Sequence, residues 1–381
     1  MGSADVLIIG GGVIGLSVAE AALRRGLSVT LLERERLGSR ASWAGAGMLQ
    51  CHPRPSHKRQ SPDHVDLTLA SIRLHEQWAA RLIEETEIDP QFWRCGTVEL
   101  FTAEEAADVE RLLQGAAQRG IRTQRLSRTE VKALEPALGD LPEVAEGILF
   151  PDDAQVRPPR LLKALAFSVR QQQANVKEGV AVADLWIENG RALGAIAMDG
   201  TRHAAGSVVV CAGAWAGRLP GLAQVLPRIG KVEPVRGQVA CYSSLESGSL
   251  ESGVSGPSHV INFHGQYLVP RRDGVLLAGS TTEKVGFEST TTELGIGALR
   301  QFAARMLPAL NGVTPVQAWA DLRPGLKGTH PMLGPVRGVS GLFVAAGHYK
   351  NGLCLAPVSG EAIAALLAGQ EPPLPVEPWA P

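Results

Sequence analysis

The chain has 381 residues, enough for two domains or for one large domain with an insertion. Its apolar fraction of 45% is ordinary for a globular protein, and a formal net charge of −1 gives no basic excess for binding nucleic acid. The apolar runs are far shorter than a membrane span, so we expect no membrane span, and the lack of a basic excess predicts no nucleic-acid partner. The expected location is the cytoplasm.

The first 33 residues have the pattern of a complete βαβ dinucleotide-binding unit. The apolar run 6–9 predicts a strand buried on both faces, a glycine turn follows, and residues 16–25 predict a helix. A second apolar run, 28–33, ends in an acid, Glu33. The strand before the glycines, the helix after them and the acid make this pattern more specific than glycines alone.

Each glycine of the turn has its own task. Gly10 permits the tight turn, Gly12 lets the backbone approach a pyrophosphate, and Gly15 lets the helix pack closely on the strand. The helix N-terminus offers N–H groups and a positive dipole end to phosphates, and Glu33 is placed to accept hydrogen bonds from ribose hydroxyls. A bound dinucleotide is therefore expected; the alternative is a glycine-rich turn that only precedes a helix.

Between residues 38 and 150 the pattern predicts helices, short strands and a polar loop. Thr102 is placed to cap one helix, and Ser127 and Glu130 have the capping-box spacing of another. The predicted helices lie at 67–87, 104–119 and 127–134, and the predicted strands at 97–101 and 147–150.

From residue 158 onward a helix gives way to short alternating stretches. Asn189-Gly190 and Asp199-Gly200 are hairpin signals between such stretches. The predicted strands lie at 180–187, 192–198, 207–211, 235–242, 259–261, 267–270, 275–279, 316–322 and 341–346, and the predicted helices at 158–173, 292–306 and 355–367. The tail after Gly369 is proline-rich and is expected to be an appended end.

Neither the cysteines nor the histidines have the spacing of a metal site. The odd, scattered set of cysteines lacks a CxxC pair and indicates reduced thiols in a cytosol; it comprises Cys51, Cys95, Cys211, Cys241 and Cys354. His52, His57 and His64 lie in a stretch rich in Pro, Arg and Ser, which we interpret as a polar surface loop or lid.

The opening unit does not distinguish NAD from FAD, but later segments favour FAD. The second half of an NAD-binding domain is missing after Glu33, where small residues and a long interruption follow. The strand in 208–215 and the terminal strand, loop and helix look like returning pieces of the first domain. The loop 347–352 would point a positive helix end at the flavin edge that becomes negative on reduction. The alternative is a turn that serves packing alone.

Seven segments, in family order along nearly the whole chain, resemble the D-amino-acid oxidase superfamily and, within it, the glycine oxidases of thiamine biosynthesis. The segments are VLIIGGGVIGLSVA (6–19), AGML (46–49), VVVCAGAWAG (208–217), QYLVPRRDG (266–274), GSTTEKVGF (279–287), DLRPGLKGTHPMLGP (321–335) and AAGHYKNGLCLAP (345–357). The resemblance implies an α/β plus α+β protein with a discontinuous Rossmann-like FAD-binding domain and a second, mainly antiparallel substrate domain.

The expected division of the chain follows from this layout. Residues 1–50, 145–222 and 318–371 are assigned to the FAD-binding domain, residues 51–144 and 223–317 to the substrate-binding domain, and residues 372–381 to a proline-rich tail.

The resemblance also assigns catalytic residues. Arg323 matches a guanidinium that anchors the substrate carboxylate, and Tyr267 matches a tyrosine that lines the pocket. Lys350 stands where the glycine-oxidase loop usually has arginine, so the charge is kept but the planar fork is lost. His264 and Thr282 are expected near the substrate. For Arg323 the alternative is a surface salt bridge, and for Tyr267 an aromatic side chain packed in a core.

A larger set is expected to bind FAD. It comprises Gly10, Gly12, Val13, Ile14, Gly15, Glu33, Arg34, Ser42, Ala46, Gly47, Met48, Val182, Ala212, Gly213, Trp215, Gly347, His348, Tyr349, Asn351, Gly352 and Leu353. Related sarcosine oxidases attach flavin through a cysteine near the Arg323 region. Because residues 322–332 contain no cysteine, we expect noncovalent FAD.

The implied reaction is oxidation of a small amine to an imine, with O2 reduced to H2O2. We hypothesise hydride transfer from the substrate Cα to flavin N5, for which orientation and exclusion of water matter more than a general base. Glycine, sarcosine and small D-amino acids stay open as substrates, and a homo-oligomer is expected. The alternatives are a dehydrogenase that passes electrons to a quinone, an NAD-dependent oxidoreductase and a non-catalytic nucleotide-binding protein.

Overall fold

The structure, a computed structural model, describes residues 3–51, 62–243, 256–326 and 330–381. Of the predicted polar loop, His52 and His57 lie outside the described residues. The strands are β1 (Ala4–Ile9), β2 (Val29–Glu33), β3 (Met48–Leu49), β4 (Thr97–Phe101), β5 (Gln124–Ser127), β6 (Glu146–Phe150), β7 (Ala154–Gln155), β8 (Asn175–Glu178), β9 (Val182–Glu188), β10 (Arg191–Ala197), β11 (Arg202–Val210), β12 (Val232–Tyr242), β13 (Val260–Phe263), β14 (Gln266–Pro270), β15 (Leu276–Gly279), β16 (Gln317–Leu326), β17 (Met332–Pro335) and β18 (Leu342–Ala346).

The α-helices are α1 (Val13–Leu23), α2 (Ala41–Ala44), α3 (Pro62–Thr86), α4 (Ala106–Gln118), α5 (Arg128–Leu134), α6 (Pro158–Gln171), α7 (Pro220–Val225), α8 (Glu293–Met306) and α9 (Gly352–Leu367). Short 3-10 helices span Ala103–Glu105, Gly213–Arg218, Pro227–Lys231, Pro308–Leu310, Tyr349–Asn351 and Glu377–Trp379. No helix of the described ranges combines the length and the apolar character needed to cross a bilayer.

The first sheet contains the predicted βαβ unit and confirms it. Its order is β17-β18-β11-β1-β2-β8, and the pairs from β18 to β8 are parallel. β1 and β2 are almost fully buried, as their apolar runs require in a parallel sheet covered on both faces. β9 and β10 form the predicted hairpin at one side of β11, and both turn residues, Asn189 and Gly190, have positive φ angles.

The second sheet is mainly antiparallel, as expected. Its order is β16-β12-β15-β14-β13-β4-β6-β5, and only the β13–β4 pair is parallel among the described strands. Ser127 caps α5 and forms the predicted capping box with Glu130. Thr102 caps the 3-10 turn Ala103–Glu105 and forms a capping box with Glu105. This turn runs directly into α4, so the cap lies one turn before the α-helix begins.

Four elements pair or pack outside the segment to which the predicted division of the chain assigns them. β6 and β16 were assigned to the first domain, yet β6 pairs with β4 and β16 pairs with β12 in the second sheet. α3 was assigned to the second domain but packs on α6 and α9 beside the first sheet. In the tail, Trp379 is only 4% exposed within the same apolar cluster as α1 and α9. Pairing and packing between distant segments place these elements, and a local sequence pattern does not record which segments will meet.

Helices α1 and α9 lie side by side under the first sheet and bring both ends of the chain together. Almost all their residues are buried. A Cβ on Gly360 would lie 2.6 Å from the carbonyl oxygen of Ser17, so this glycine lets the two helices approach closely. The N-termini of α1 and α9 are therefore held in a fixed relation at one edge of the sheet.

Candidate active site

A cleft of about 450 Å³ runs along the carboxyl ends of the parallel strands. In an open parallel sheet this edge is where ligands bind. Most of the residues predicted to bind FAD line it: Gly10, Gly12, Val13, Ile14, Glu33, Arg34, Ser42, Val182, Ala212, Gly213, Trp215, Gly347, His348, Tyr349, Gly352 and Leu353. The N-terminus of α1 lies in one part of the cleft, and the loop before α9 lies in another.

The glycine turn shows why side chains are excluded at this end. Gly10 has a φ of +106°, and a Cβ there would lie 2.5 Å from the carbonyl oxygen of Cys211. Gly12 is the N-cap of α1 and has no side-chain cap of its own. The first helical N–H, that of Val13, donates to Ser42 Oγ at 2.9 Å. A helix start of this kind suits the binding of an anionic phosphate.

Glu33 ties the turn to the end of β2. Its Oε2 accepts from the Gly11 N–H at 2.7 Å, and its Oε1 accepts from the Glu35 N–H at 2.9 Å. A carboxylate can accept more than two hydrogen bonds, so these contacts leave capacity for a ligand hydroxyl. The binding of a ribose by Glu33 stays a prediction.

Cationic and aromatic side chains line the same cleft. The guanidinium carbon of Arg34 lies 3.6 Å from the centre of the Trp215 ring, and that of Arg40 lies 5.8 Å from it. Burial lowers the pKa of Arg34, with its neighbour Glu35 acting against that effect. The glycine turn, the N-terminus of α1 and two arginines therefore fit an anionic dinucleotide.

Gly15 lies outside the cleft and acts through packing. A Cβ on Gly15 would lie 1.9 Å from the carbonyl oxygen of Gly10. This contact confirms the close helix–strand packing that the motif predicts. Gly15 therefore sets the position of α1 relative to the turn.

Replacing Gly15 by alanine is expected to weaken FAD binding by about 5- to 150-fold, since overpacking typically costs 1–3 kcal/mol. The clash is with backbone, so α1 must shift away from the Gly10 turn. The dissociation constant of FAD, measured by fluorescence titration of the apoprotein, checks this. Gly115→Ala is the matched control, because a Cβ on this α4 glycine meets nothing within 4 Å. Equal FAD affinity in both variants would contradict the prediction.

A chamber of about 90 Å³ adjoins the cleft. Arg323, Lys350 and Leu353 line both spaces, so the chamber lies directly beside that end of the cleft. The predicted site residues that line the chamber but not the cleft are Ala46, Gly47, Met48, Tyr267 and Asn351. The structure thus brings the 46–48 turn, the second sheet and the loop before α9 together.

Arg323 extends from β16 along the wall of this chamber. Its Nη1 donates to the carbonyl oxygen of Thr281 at 3.0 Å, and its Nη2 donates to Ser280 Oγ at 2.8 Å. Both acceptors are neutral, and Arg323 forms no ion pair with any residue in the described part of the chain. The guanidinium is therefore oriented but keeps its charge for a ligand.

An acid close in sequence to the two partners of Arg323 is engaged elsewhere. Glu283 pairs with the buried Arg236 and accepts from Gln238 Nε2 at 2.8 Å. Although burial acts to raise it, the pKa of Glu283 falls to about 2 because Arg236, Gln238 and Thr281 hydrogen-bond to the carboxylate. Glu283 is ionised and neutralises Arg236, so it leaves Arg323 uncompensated.

Two glycines that sequence reasoning missed shape the chamber. A Cβ on Gly237 would lie 2.0 Å from Arg323 Nη2, and a Cβ on Gly279 would lie 2.6 Å from the Tyr267 hydroxyl. Tyr267 is 6% exposed and packs over Gly279 from the paired strand. A glycine inside a predicted strand can mark such a close approach, and this was the available signal.

The loop before α9 holds Lys350 between the two spaces. Tyr349 has a φ of +48°, unusual for a residue with a side chain, and Lys350 Nζ lies 5.6 Å from its ring centre. Asn351 Nδ2 lies 2.7 Å from His64 Nε2, which joins this loop to α3. Burial raises the pKa of Tyr349, so its hydroxyl is neutral at pH 7.

Two predicted pocket residues lie elsewhere, and the structure corrects them. His264 is at the exposed turn between β13 and β14, stacked on Phe263, with Nε2 3.5 Å from Glu105. Thr282 is exposed, and its neighbour Thr281 supplies the carbonyl that holds Arg323. His264 and Gly265 form the turn itself and both have positive φ angles, so the strand alternation that places Tyr267 does not extend to His264.

Asp321 is a chamber residue that sequence reasoning did not single out. It lies two residues before Arg323 on β16, is 8% exposed and lines the chamber. Its Oδ1 accepts from the Leu322 N–H at 2.6 Å. Burial raises the pKa of Asp321, while Arg40 and Arg34 act in the opposite direction. Its place in the DLRPG segment, directly beside the predicted substrate anchor Arg323, was the sequence feature that could have identified it.

Three buried histidines surround the start of α9. His348 Nε2 lies 3.0 Å from Ser359 Oγ, and His75 Nε2 lies 3.0 Å from the carbonyl oxygen of Leu353. Burial lowers the pKa of His348 to about 3 and those of His75 and His64 to about 4. All three are therefore neutral at pH 7, and His75 donates its Nε2 proton.

These histidines predict a loss of stability in mild acid. Their folded pKa values lie below the unfolded value near 6.5, so the unfolded chain binds more protons as the pH falls from 6.5 toward 4. At pH 5 each should contribute a loss of about 2 kcal/mol in the free energy of unfolding. Urea unfolding between pH 7.5 and 5 checks this, and His75→Gln should give a shallower dependence. A flat profile between pH 7 and 5 would be incompatible with neutral burial.

The comparisons with known proteins agree with this geometry. The FAD dependent oxidoreductase family matches residues 5–366. A glycine oxidase of Pseudomonas aeruginosa is 35% identical over 383 residues, which covers 100% of this chain and 99% of the relative. A bifunctional ThiO/ThiG protein of Nostoc is 29% identical and is matched over 53% of its length by 96% of this chain.

A solved structure extends the similarity to the whole fold. The crystal structure of glycine oxidase from Geobacillus kaustophilus has a TM-score of 0.89 and 31% identity, covering 100% of this chain and 98% of that one. The match over nearly all residues, together with the cleft, excludes the NAD-dependent alternative. The chain belongs to the FAD dependent oxidoreductase family, and its cofactor is FAD.

Proposed function

We propose that this enzyme oxidises glycine or another small amino acid to the imine, with O2 as the electron acceptor. The observation that carries the proposal is Arg323, an oriented guanidinium with neutral partners only among the described residues, in a small chamber beside the cofactor cleft. Bound FAD supplies the two-electron acceptor for such an oxidation.

Arg323 would bind the substrate carboxylate. A planar guanidinium can donate two parallel hydrogen bonds to a carboxylate, which fixes both position and orientation. Its partners at Thr281 and Ser280 keep the side chain in place before a ligand arrives. Prior orientation lowers the entropy lost on binding and supports a productive geometry at Cα.

The chamber limits the size of the substrate. Its volume is about 90 Å³, and Tyr267, Met48 and Leu353 form part of its wall. A substrate of few atoms that fills this space would leave little water around the reacting carbon. Glycine, with no side chain, fits this condition better than amino acids with long side chains, and sarcosine and D-alanine are the next candidates.

The loop before α9 would bind the flavin end of FAD. The N-terminus of α9 is the positive end of a long helix, and Lys350 adds a charge beside it. A positive group near the flavin stabilises negative charge on reduction. Lys350 keeps the charge of the family arginine but offers no planar fork, so substrate orientation would depend mainly on Arg323.

A substrate panel tests the proposal. Purified protein, yellow from FAD, would be incubated in air with glycine, sarcosine, D-alanine, D-proline and L-alanine, and H2O2 would be measured. Peroxide formed with glycine or another small amine in proportion to oxygen consumed supports an oxidase. Turnover with an added quinone but not with oxygen would instead show the dehydrogenase alternative. No flavin reduction by any amino acid in the panel would overturn the proposal.

The cellular setting is proposed on the same basis. We assign the oxidation to thiamine biosynthesis, as the sequence resemblance implies, and place the enzyme in the cytoplasm. The five cysteines are free thiols and all are buried, which suits a reducing compartment. A homo-oligomer stays a prediction, and sedimentation equilibrium would measure the subunit number.

A further inference from the structure

We propose that Asp321 binds the nitrogen of the substrate and makes the chamber selective for amino acids over 2-hydroxy acids. The inference rests on the proposed function, because it assumes that Arg323 binds the carboxylate. In this arrangement Arg323 binds the carboxylate of the amino acid and Asp321 binds its nitrogen.

The first argument is the placement of opposite charges on one strand face. Asp321 and Arg323 are two residues apart on β16, so their side chains lie on the same face, about 7 Å apart along the strand. Both line the chamber. An α-amino acid has its amine and its carboxylate on one carbon, and two such charges of opposite sign match its two ends.

The second argument is register with the neighbouring strand. Asp321 lies directly opposite Gly237 of β12, and the Arg323 guanidinium occupies the space that a Gly237 side chain would fill. The guanidinium therefore leans back toward the level of Asp321. Yet Asp321 and Arg323 form no ion pair: the carboxylate accepts from the Leu322 N–H, and the guanidinium donates to Ser280 and Thr281.

The third argument is the set of partners that Asp321 has. One oxygen accepts from the Leu322 N–H, and among the described residues the carboxylate has no ion pair. Burial acts against the charged form of Asp321, and Arg40 and Arg34 favour that form although neither makes an ion pair with it. A carboxylate that is 92% buried needs a charged or hydrogen-bonding partner, and a substrate nitrogen would provide one.

The chemistry of the reaction gives this contact a use. When a neutral amine is oxidised, the Cα–H bond breaks, the hydrogen leaves with its electron pair to the acceptor that FAD would supply, and the nitrogen lone pair forms the C=N bond of a cationic iminium. The iminium then loses its N–H proton to water to give the imine. A fixed carboxylate at that nitrogen stabilises the charge as it forms. The remaining groups that line the chamber near Asp321 are cationic or neutral: Arg323, Lys350, His64, Tyr267 and Cys51. Asp321 is therefore the acidic group of this wall.

The test compares two ligands of nearly equal size in the FAD-loaded enzyme. Glycine has an amine and a carboxylate, whereas glycolate has a hydroxyl in place of the amine. In Asp321→Asn we expect the KM for glycine to rise at least tenfold, while the calorimetric dissociation constant of glycolate falls or stays equal. Loss of a negative charge should favour a ligand that is only an anion, and a damaged chamber would weaken both.

A control variant removes the charge of a half-buried aspartate, Asp184, that has the same local hydrogen bond and one more from the Gly221 N–H. Asp184 accepts from the N–H of the following residue, Leu185, at 2.8 Å, but lines neither cavity. Asp184→Asn should leave both ligands unchanged. Equal shifts for glycine and glycolate in Asp321→Asn, or no shift in either, would overturn the inference while wild-type oxidation of glycine left the proposed function standing. If the wild type oxidises no amino acid, both fail.

Discussion

Replacing Arg323 by methionine should lower kcat/KM for glycine by about 30- to 5,000-fold, the range expected when one partner of a buried, hydrogen-bonded charge pair is removed. The side chain has no charged partner among the described residues, so its removal leaves no protein charge uncompensated. Methionine has a similar length and keeps the wall packed. The loss should therefore come from the substrate carboxylate, which would have no counter-charge in the chamber.

The control for this prediction is a variant that keeps the charge of Arg323 but loses its planar fork. Arg323→Lys keeps the positive charge but cannot donate two parallel hydrogen bonds, so its activity should lie between that of the wild type and that of Arg323→Met. Absorbance spectra of both variants should show FAD bound as in the wild type. Unchanged KM and kcat for glycine in Arg323→Met would show that the carboxylate binds elsewhere.

The cofactor end of the fold could be predicted from sequence because its signals are local. The strand, the glycine turn, the helix and Glu33 lie within one short stretch, and the reasons for Gly10 and Gly15 are steric ones that hold in any such unit. The loop before α9 was predicted for the same reason, since a strand, a glycine and a helix start follow one another directly. The start of α9 at Gly352, earlier than predicted, reflects a 3-10 turn that runs into the helix.

The substrate end depended on pairing between distant strands, which no local pattern contains. That Gly237 faces Asp321, and that Gly279 lies under Tyr267, follows from the registers of β12 with β16 and of β14 with β15. Proximity in sequence to Tyr267 favoured His264, but His264 belongs to the exposed turn between β13 and β14, where it stacks on Phe263. Asp321 was overlooked because its burial arises only when the two sheets and the 40–50 segment meet.

Replacing Gly237 by alanine should reduce kcat/KM for glycine by about 100-fold, the effect of misplacing a binding group by about 1 Å. A Cβ there would lie 2.0–2.1 Å from the Arg323 guanidinium atoms, so the guanidinium must leave its position. That side chain is flexible and can move without disturbing the sheet. Its hydrogen bonds to Thr281 and Ser280 would be lost, while the free energy of unfolding should change little.

A matched glycine and a double variant show whether Gly237 acts through Arg323. Gly297 lies in α8 with nothing within 4 Å of an added Cβ, so Gly297→Ala should keep full activity and gain about 0.5–1 kcal/mol of stability. In the Arg323→Met background, Gly237→Ala should have almost no further effect on kcat/KM, because the group that it displaces is already gone. Additive losses in the double variant would mean that Gly237 shapes the chamber independently. Non-additivity would show that Gly237 acts through Arg323: the glycine on β12 leaves the space that the guanidinium from β16 occupies when it binds the substrate.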